Sequence, residues 1–256
     1  MGHPNGGSWV LRAGLVSLTF GLVVWALRAG TAPAAFCGGM ICLLVTLGTE
    51  RIGPWAEMRS GLSPLLALFV LTFLAGRVGR ARIREAATSL QRAEFAKERR
   101  GRRASQVVAN LGAAGLVVAG AHVVGVDYAV GAMLLGVLAE ATADTVSSEI
   151  GSAFGGAPYL LTTLRRVEAG TDGAVSLIGT LAGMAGALTV IAVGVWAMGV
   201  PWRTGLCGLV GGLAGFGFDS LLGATFERRG WLGNDLVNFA STICAGAVAL
   251  GLVWVW

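Results

Sequence analysis

Long apolar runs recur along the whole chain, and each is close to the ~20 residues that a helix needs to cross a bilayer. Hydrophobic residues occupy 55% of the 256 positions and charged residues only 13%, about half the ~25% typical of soluble domains. Because backbone polar groups in lipid must be satisfied within the segment itself, each run is expected to be a helix. The sequence predicts an all-α polytopic bundle of about eight transmembrane helices, at 9–28, 30–49, 61–79, 105–125, 128–147, 175–199, 203–225 and 236–256.

Polar residues are unevenly distributed and divide this single transmembrane domain, 1–256, into three parts. Residues 1–76 contain three apolar helices, and 77–104 form a basic segment expected on the cytoplasmic side, as a possible surface helix. Residues 105–256 place polar side chains inside helices and are the predicted catalytic core. The first eight residues lack the basic stretch of a signal peptide, so the first run is expected to be a retained helix.

The positions of the basic residues predict the orientation. Ten of them crowd one loop against Glu85, Glu94 and Glu98: Arg77, Arg80, Arg82, Arg84, Arg92, Lys97, Arg99, Arg100, Arg102 and Arg103. Positively charged loops stay in the cytoplasm, so alternation places both termini outside and also brings inside Arg28, Arg165, Arg166, Arg228 and Arg229. Only four arginines then fall outside: Arg12, Arg51, Arg59 and Arg203. We therefore expect a cytoplasmic-membrane protein whose net charge of +5 reflects topology and lipid contact rather than nucleic-acid binding.

Several site classes are excluded by composition. The cysteines Cys37, Cys42, Cys207 and Cys244 lie in apolar runs without a CxxC pair, and the histidines are His3 and His122. This pattern disfavours a zinc or redox site. The single lysine, Lys97, is not in a GxxxxGK[ST] motif, which excludes a Walker-type phosphate loop.

Carboxylates occur where a membrane helix should avoid them. In AEATADTVSSEIG, residues 139–151, Glu140 and Asp144 are one helical turn apart and Glu149 follows. Each carboxylate near the bilayer centre costs about 2.5–3.5 kcal/mol, and neighbouring carboxylates also repel one another. A divalent cation offsets both costs, and hard oxygen ligands suit Mg²⁺. The alternative is that these acids lie in the interface and meet water.

A second acidic block follows in another helix. Asp219 lies inside an apolar run, and Glu227 follows two helical turns later. Beyond it come Asn234, Asp235 and Asn238. The predicted topology puts this end on the same side as Asp144, so the two blocks are candidates for one metal site. A solvated helix end explains Glu227 and Asp235 equally well, but not the deeper Asp219.

Two further segments are candidates for anion binding. In LRRVEAGTDGAVSLIGT, residues 164–180, two arginines and a turn before a helix can receive phosphate oxygens, through Arg165, Arg166, Gly170, Thr171, Asp172, Gly173 and Ser176. An ordinary capped loop is the alternative. The second segment, RRASQVVAN at 102–110, brings polar groups to a helix start through Arg103, Gln106 and Asn110. The glycine pairs Gly179/Gly183, Gly208/Gly212 and Gly211/Gly215 are instead typical of close helix packing.

These blocks together resemble one family. Taken together, the blocks ATADTVSSEIG, GTDGAVSLIGT, RRASQVVAN and DSLLGATFERRGWLGNDLVNFAST are similar to the phytyl-phosphate kinase family of integral membrane proteins, also catalogued as a domain of unknown function. More distantly they resemble dolichol and phytol kinases and phosphatidate cytidylyltransferases. The resemblance implies a CTP-dependent kinase that converts an isoprenoid monophosphate to the diphosphate. It also implies that Asp144 and Asp219 bind Mg²⁺, and it departs from those relatives where Arg165 and Arg166 replace lysines.

We therefore expect phosphoryl transfer with Asp144, Glu149 and Asp219 as catalytic residues and metal ligands. Glu140 and Glu227 are expected as further metal ligands, and the two anion-binding segments are expected to bind the nucleotide. A cytidylyltransferase that makes a CDP-lipid and an ion-coupled transporter are the alternatives from other classes. The expected partners are an isoprenoid phosphate, a nucleoside triphosphate and membrane lipids, with a homodimer left open.

Overall fold

The computed structural model describes residues 6–49, 58–86, 101–125 and 129–256. Over these ranges the chain forms eight helices: α1 Gly6–Ala26, α2 Ala32–Gly48, α3 Leu62–Ala86, α4 Ala104–Val124, α5 Val130–Phe154, α6 Leu177–Met198, α7 Trp202–Leu222 and α8 Asn234–Val255. A π-helical turn, Gly223–Glu227, extends α7, and two short antiparallel strands, β1 Tyr159–Leu160 and β2 Ala174–Val175, pair between α5 and α6. Of the residues discussed above, His3, Arg51 and the stretch 92–100 lie outside the described ranges.

The predicted all-α polytopic bundle is confirmed. Seven of the described helices are long and apolar enough to cross a membrane, and α2, with 17 residues, is the shorter apolar one. Two helices are longer than predicted: α3 continues to Ala86 and α5 to Phe154. The last turns of α3 are rich in Arg and Ala, which favour helix without being apolar, whereas those of α5 contain Ser and Glu up to the C-cap Gly155. The basic segment therefore begins inside α3.

The helix α5 is the centre of the bundle. It packs against α3, α4, α6, α7 and α8, and most of its residues from Ala132 to Val146 are buried. The outer helices instead expose large apolar side chains, as expected of surfaces that meet lipid. The carboxylates of α5 are thus held within protein rather than in the hydrocarbon phase.

Glycines allow the helices around α5 to approach closely, as predicted. A Cβ atom added to Gly183 of α6 would lie 2.6 Å from the Ala143 carbonyl oxygen of α5. One added to Gly215 of α7 would lie 2.6 Å from the Ser241 carbonyl oxygen of α8. Side chains at these positions would force the backbones apart, so the small residues fix the separation of the helices.

Four connecting segments lie at one end of the bundle. The backbone N–H of Arg102, before α4, donates to the Ala29 carbonyl at 2.9 Å, and Thr31 N–H donates to the Arg102 carbonyl at 3.0 Å. Farther along, Gly173 packs on the backbone of Ala224. The turn after α1, the start of α4, the α5–α6 connection and the end of α7 therefore share one face, which agrees with the alternation of eight spanning helices. That this face is cytoplasmic stays a prediction.

Candidate active site

Three carboxyl groups meet in the interior of the bundle. Glu140, only 1% exposed, and Asp144 lie one turn apart on α5, and Asp219 approaches from α7. The carboxyl groups of Asp144 and Asp219 are in hydrogen-bonding contact. Ser241 of α8 contacts both Glu140 and Asp219. The two acidic blocks recognised in the sequence therefore converge at one point.

The hydrogen bonding of this acid cluster is incomplete. Glu140 Oε1 and Asp219 Oδ1 are buried and find no hydrogen-bond partner in the part of the chain that the structure describes. A buried carboxylate oxygen without a partner is costly, and neighbouring carboxylates add repulsion. The cluster therefore requires protons or a cation.

The acid cluster offers only oxygen donors, the ligands that Mg²⁺ prefers. Within the described residues, no three His, Cys, Asp or Glu side chains are arranged as ligands of one metal ion. Mg²⁺ in phosphoryl-transfer sites is, however, usually held by one or two carboxylates, with substrate phosphates and water completing the shell. The contacting pair Asp144 and Asp219, all oxygen donors with one orphaned oxygen, fits such a site.

The other predicted acids have different surroundings. Glu149 faces α3, where its Oε1 is 3.5 Å from Arg80 Nη1. Its backbone carbonyl lies so close to Gly79 that a Cβ there would be 2.7 Å away. Glu227, in the π-helical turn, is half-buried and interacts electrostatically with Asp172 and Asp144. These acids therefore flank the Asp144–Asp219 pair.

A cavity of about 940 Å³ opens beside Asp144. At one end it is lined by cationic and amide side chains and by two acids, namely Arg28, Arg77, Arg80, Arg84, Arg102, Gln106, Asn110, Asn234, Asn238, Asp144 and Glu149. The other end is apolar and is lined mainly by Phe20, Val24, Leu27, Leu68, Phe69 and Phe73. The apolar N-terminal helices thus form a wall of the candidate site.

Arg102 is the functional candidate that the sequence reasoning missed. Its backbone is clamped by the α1–α2 turn, and its guanidinium faces Asp144 and Glu149. Burial lowers the pKa of Arg102 and the two carboxylates raise it, but a guanidinium stays charged at any physiological pH. The residue predicted from the sequence is its neighbour Arg103, which is exposed and immediately precedes α4. The Arg103 backbone N–H donates to Gln106 Oε1 at 2.9 Å. Only the bridge to the α1–α2 turn distinguishes the two arginines.

A buried amide pair closes the polar end of the cavity. Asn238 Nδ2 of α8 donates to Asn110 Oδ1 of α4 at 2.8 Å, and both residues also line the cavity. Asn234 lies at the start of α8 on the same wall, and Asp235, in the first turn of α8, is half-buried. The amide pair joins two helices that are distant in sequence and leaves the remaining amide valences to the cavity side.

The predicted phosphate turn is well ordered but lies outside the cavity. Arg165 and Arg166 are exposed, and Arg166 Nε donates to the Tyr159 hydroxyl at 3.1 Å. Gly170 and Gly173 have φ of +89° and +68°, and the Thr171 hydroxyl donates to the Glu168 carbonyl. The Ser176 hydroxyl accepts from Gly179 N–H and caps α6. The turn reaches the acid cluster only through its neighbour Asp172, which faces Glu227.

A family profile agrees with this architecture. The profile of the integral membrane protein family DUF92 matches residues 15–246.

The chain belongs to the DUF92 family.

This DUF92 protein is similar to several curated proteins. It is 34% identical to the chloroplastic protein VTE6 of Arabidopsis thaliana over 90% of the chain and 66% of that protein. It is 46% identical to the uncharacterized membrane protein MJ0933 of Methanocaldococcus jannaschii over 44% of the chain and 47% of that protein. With the uncharacterized membrane protein sll0875 of Synechocystis it shares 39% identity over 43% of each. The matches thus span about half to two thirds of these relatives, and no solved structure matches the chain.

The arrangement in this DUF92 protein suits chemistry on an anionic amphiphile. Arginines at one end of the cavity can bind phosphate oxygens, and the paired acids can bind a hard cation at the same place. The apolar end can accommodate hydrocarbon.

Proposed function

We propose that this DUF92 protein is a membrane-embedded kinase that transfers the γ-phosphoryl group of CTP to an isoprenoid monophosphate, on the cytoplasmic face of the membrane. The observation that carries the proposal is the position of the acid pair. Asp144 lines a cavity whose polar end contains five arginines and whose other end is apolar. This is the environment that a lipid phosphate needs at a phosphoryl-transfer centre.

The arginines hold the acceptor. Arg80 and Arg102 come from different elements and both interact with Glu149, so an incoming monophosphate can bind both guanidinium groups beside that carboxylate. Charge-assisted hydrogen bonds from guanidinium groups orient phosphate oxygens in two directions at once. The acceptor oxygen is thereby held near Asp144. It attacks the γ-phosphorus, the bond to the β–γ bridging oxygen breaks, and CDP leaves.

The acid pair supplies the metal site. Asp144 and Asp219 are the residues that would hold Mg²⁺, with Glu140 and Glu227 beside them. When bound there, Mg²⁺ neutralises charge on the nucleotide phosphates and orients them. Glu149, which is paired with Arg80, then positions the phosphate-binding arginine and does not bind the metal.

The nucleotide approaches from the side of the α5–α6 connection. Arg165 and Arg166 are exposed there, and the turn with Gly170, Thr171, Gly173 and Ser176 packs on the end of α7, next to Glu227. Exposed cations at the membrane surface are accessible to a soluble triphosphate. Gln106, Asn110, Asn234 and Asn238 line the cavity, and Asp235 follows Asn234 in the first turn of α8.

Two comparisons support the lipid class. The chain belongs to an integral membrane family, and its motif blocks resemble those of phytyl-phosphate kinases. It also aligns with VTE6 over most of its length. Phytyl phosphate and geranylgeranyl phosphate are therefore the first substrates to test.

The position of the label decides the reaction. Purified protein is incubated with Mg²⁺, a panel of isoprenoid and diacyl lipid phosphates, and CTP labelled at either the α or the γ phosphate. We expect label from the γ position to enter an isoprenoid diphosphate. Label entering lipid from the α position would identify a cytidylyltransferase, and no label from either would refute both reactions.

A further inference from the structure

One stripe of α3 changes its chemistry along its length. Phe69, Phe73, Arg77, Arg80 and Arg84 follow one another at helical spacings of three or four residues, so they share one side of the helix. All five line the cavity. The stripe is aromatic in its membrane half and cationic toward the end of the bundle where the loops meet.

The aromatic half continues across to α1. The rings of Phe20 and Phe69 meet edge to face with centroids 5.3 Å apart, and Phe69 stacks on Phe73 at 5.8 Å. The guanidinium of Arg77 lies 5.3 Å from the centroid of the Phe73 ring. A continuous row of three rings therefore ends at the first arginine.

A ligand that complements this stripe needs an anionic head joined directly to an apolar chain. From Phe69 to Arg84 the helix rises about 22 Å at ~1.5 Å per residue, enough for an extended lipid. The cavity volume of about 940 Å³ is at the upper end of the 300–1,000 Å³ typical of ligand pockets. A free phosphate would use only the arginine half.

We infer that α1 and α3 form the chain-binding half of the acceptor site, with Phe20, Phe69 and Phe73 as the residues that select the hydrocarbon chain. This inference rests on the proposed function and names the part of the substrate that it leaves open. The hydrocarbon chain of the lipid lies along the three rings, and its phosphate group reaches Arg77 and Arg80. The polar edges of a nucleotide base would meet Val24, Leu27 and Leu68 there, so a nucleotide does not fit this half.

Binding without nucleotide tests the inference separately from catalysis. The affinities of isopentenyl phosphate and geranylgeranyl phosphate are measured by calorimetry on the full chain in detergent, with inorganic phosphate as the probe that has no hydrocarbon. The wild-type protein should prefer the long chain. We expect Phe73→Ala to weaken geranylgeranyl phosphate binding about tenfold, which corresponds to the loss of one to two buried methylene-sized contacts. The affinity for isopentenyl phosphate should stay within about twofold of the wild-type value.

Three variants complete the design. Gly38→Leu fills the apolar end of the cavity from α2, where a Cβ would meet the Phe20 ring at an ordinary 3.7 Å. This variant should also weaken binding of geranylgeranyl phosphate alone. Arg77→Gln should lower the affinities for both lipid phosphates by the same factor. Phe36→Ala, the same truncation at a side chain 69% exposed on α2, should change neither affinity.

The inference would be overturned if Phe73→Ala and Gly38→Leu lowered the affinities for both lipids equally, or if both variants kept the wild-type preference for the long hydrocarbon chain. Because Gly38→Leu adds volume rather than removing a core ring, it keeps the test valid if Phe73→Ala does not fold. Chain-dependent binding without transfer of label from CTP would refute the proposed kinase and leave this inference standing.

Discussion

Asp144 and Asp219 are the two residues whose positions the hydrophobic effect explains least. Both lie in helices that are otherwise apolar, and their carboxyl groups touch. From the sequence this pairing was predictable, because alternation of helices placed both acids near one face. The contact with Ser241 and the burial of Glu140 were not, since they depend on the rotation of α5 against α7 and α8.

If Asp144 and Asp219 hold one metal ion, they act as a unit. Asp144→Asn and Asp219→Asn keep the side-chain shape and remove the charge. Each should lower the Mg²⁺-dependent rate by about a hundredfold or more, and the double variant should be little worse than either, because effects within a unit are strongly non-additive. Initial rates against Mg²⁺ concentration, with thermal unfolding as the folding control, measure this. Multiplicative losses would mean two separate sites.

Arg102 is the residue-scale test of the acceptor site. Because its backbone is fixed and its guanidinium faces Asp144 and Glu149, Arg102→Gln should raise the KM for the lipid phosphate about tenfold or more, as expected for one lost charge-assisted contact of 1.5–3 kcal/mol. Arg102→Lys should recover part of the loss.

Arg203→Gln, at the opposite end of the bundle where Arg203 packs on Trp202, is the matched control and should behave as wild type. An unchanged KM in Arg102→Gln would remove this arginine from the acceptor site.

At the scale of elements, hydropathy predicted the helices better than their ends. A run of apolar residues stops where charge begins, but a helix stops only where the backbone is interrupted. In α5 that point is Gly155, and the polar stretch before it, which is half-buried or exposed beyond Val146, stays helical because nothing interrupts its backbone before that glycine. The third helix continues through its arginines because Arg and Ala favour helix, and this places Arg77 and Arg80 on the cavity wall instead of in a surface loop.

Close packing of α6 on α5 should be sensitive to a single added methyl group. Gly183→Ala places a Cβ 2.6 Å from the Ala143 carbonyl, and the backbone must shift. Overpacking of this kind costs about 1–3 kcal/mol, so the apparent Tm in detergent should fall by several degrees.

The matched control is Gly120→Ala on α4, where an added Cβ meets no atom within 4 Å. It should keep or slightly raise the Tm, since alanine favours helix over glycine. Similar Tm values for the two variants would show that α6 does not approach α5 so closely.

At the scale of the whole molecule, the orientation follows from the distribution of arginines. With one added cysteine in a variant lacking the four native ones, Thr163→Cys should react with a membrane-impermeant maleimide only after permeabilisation. Arg203→Cys should react in intact cells, because the two positions lie at opposite ends of the bundle. The reverse pattern would put the arginine-lined end of the cavity outside and contradict a site supplied with cytoplasmic CTP.

The cavity is the feature that no sequence pattern predicted. Its walls come from six helices, and the aromatic side chains of α1 and α3 resemble any other membrane-spanning residues when read along the chain. Only the packing of α3 against α5, and of the Phe20 ring of α1 on Phe69, shows that Phe20, Phe69 and Phe73 face the same space as Asp144.

The most direct test of the central proposal is transfer of γ-labelled phosphate from CTP to geranylgeranyl phosphate or phytyl phosphate by the purified protein. We predict a labelled isoprenoid diphosphate with wild type, no product after Mg²⁺ is chelated with EDTA, and restoration when Mg²⁺ is returned. Asp144→Asn, folded to the same Tm, should form almost none. Equal label transfer by wild type and Asp144→Asn, or transfer that persists in EDTA, would contradict a kinase centred on these acids.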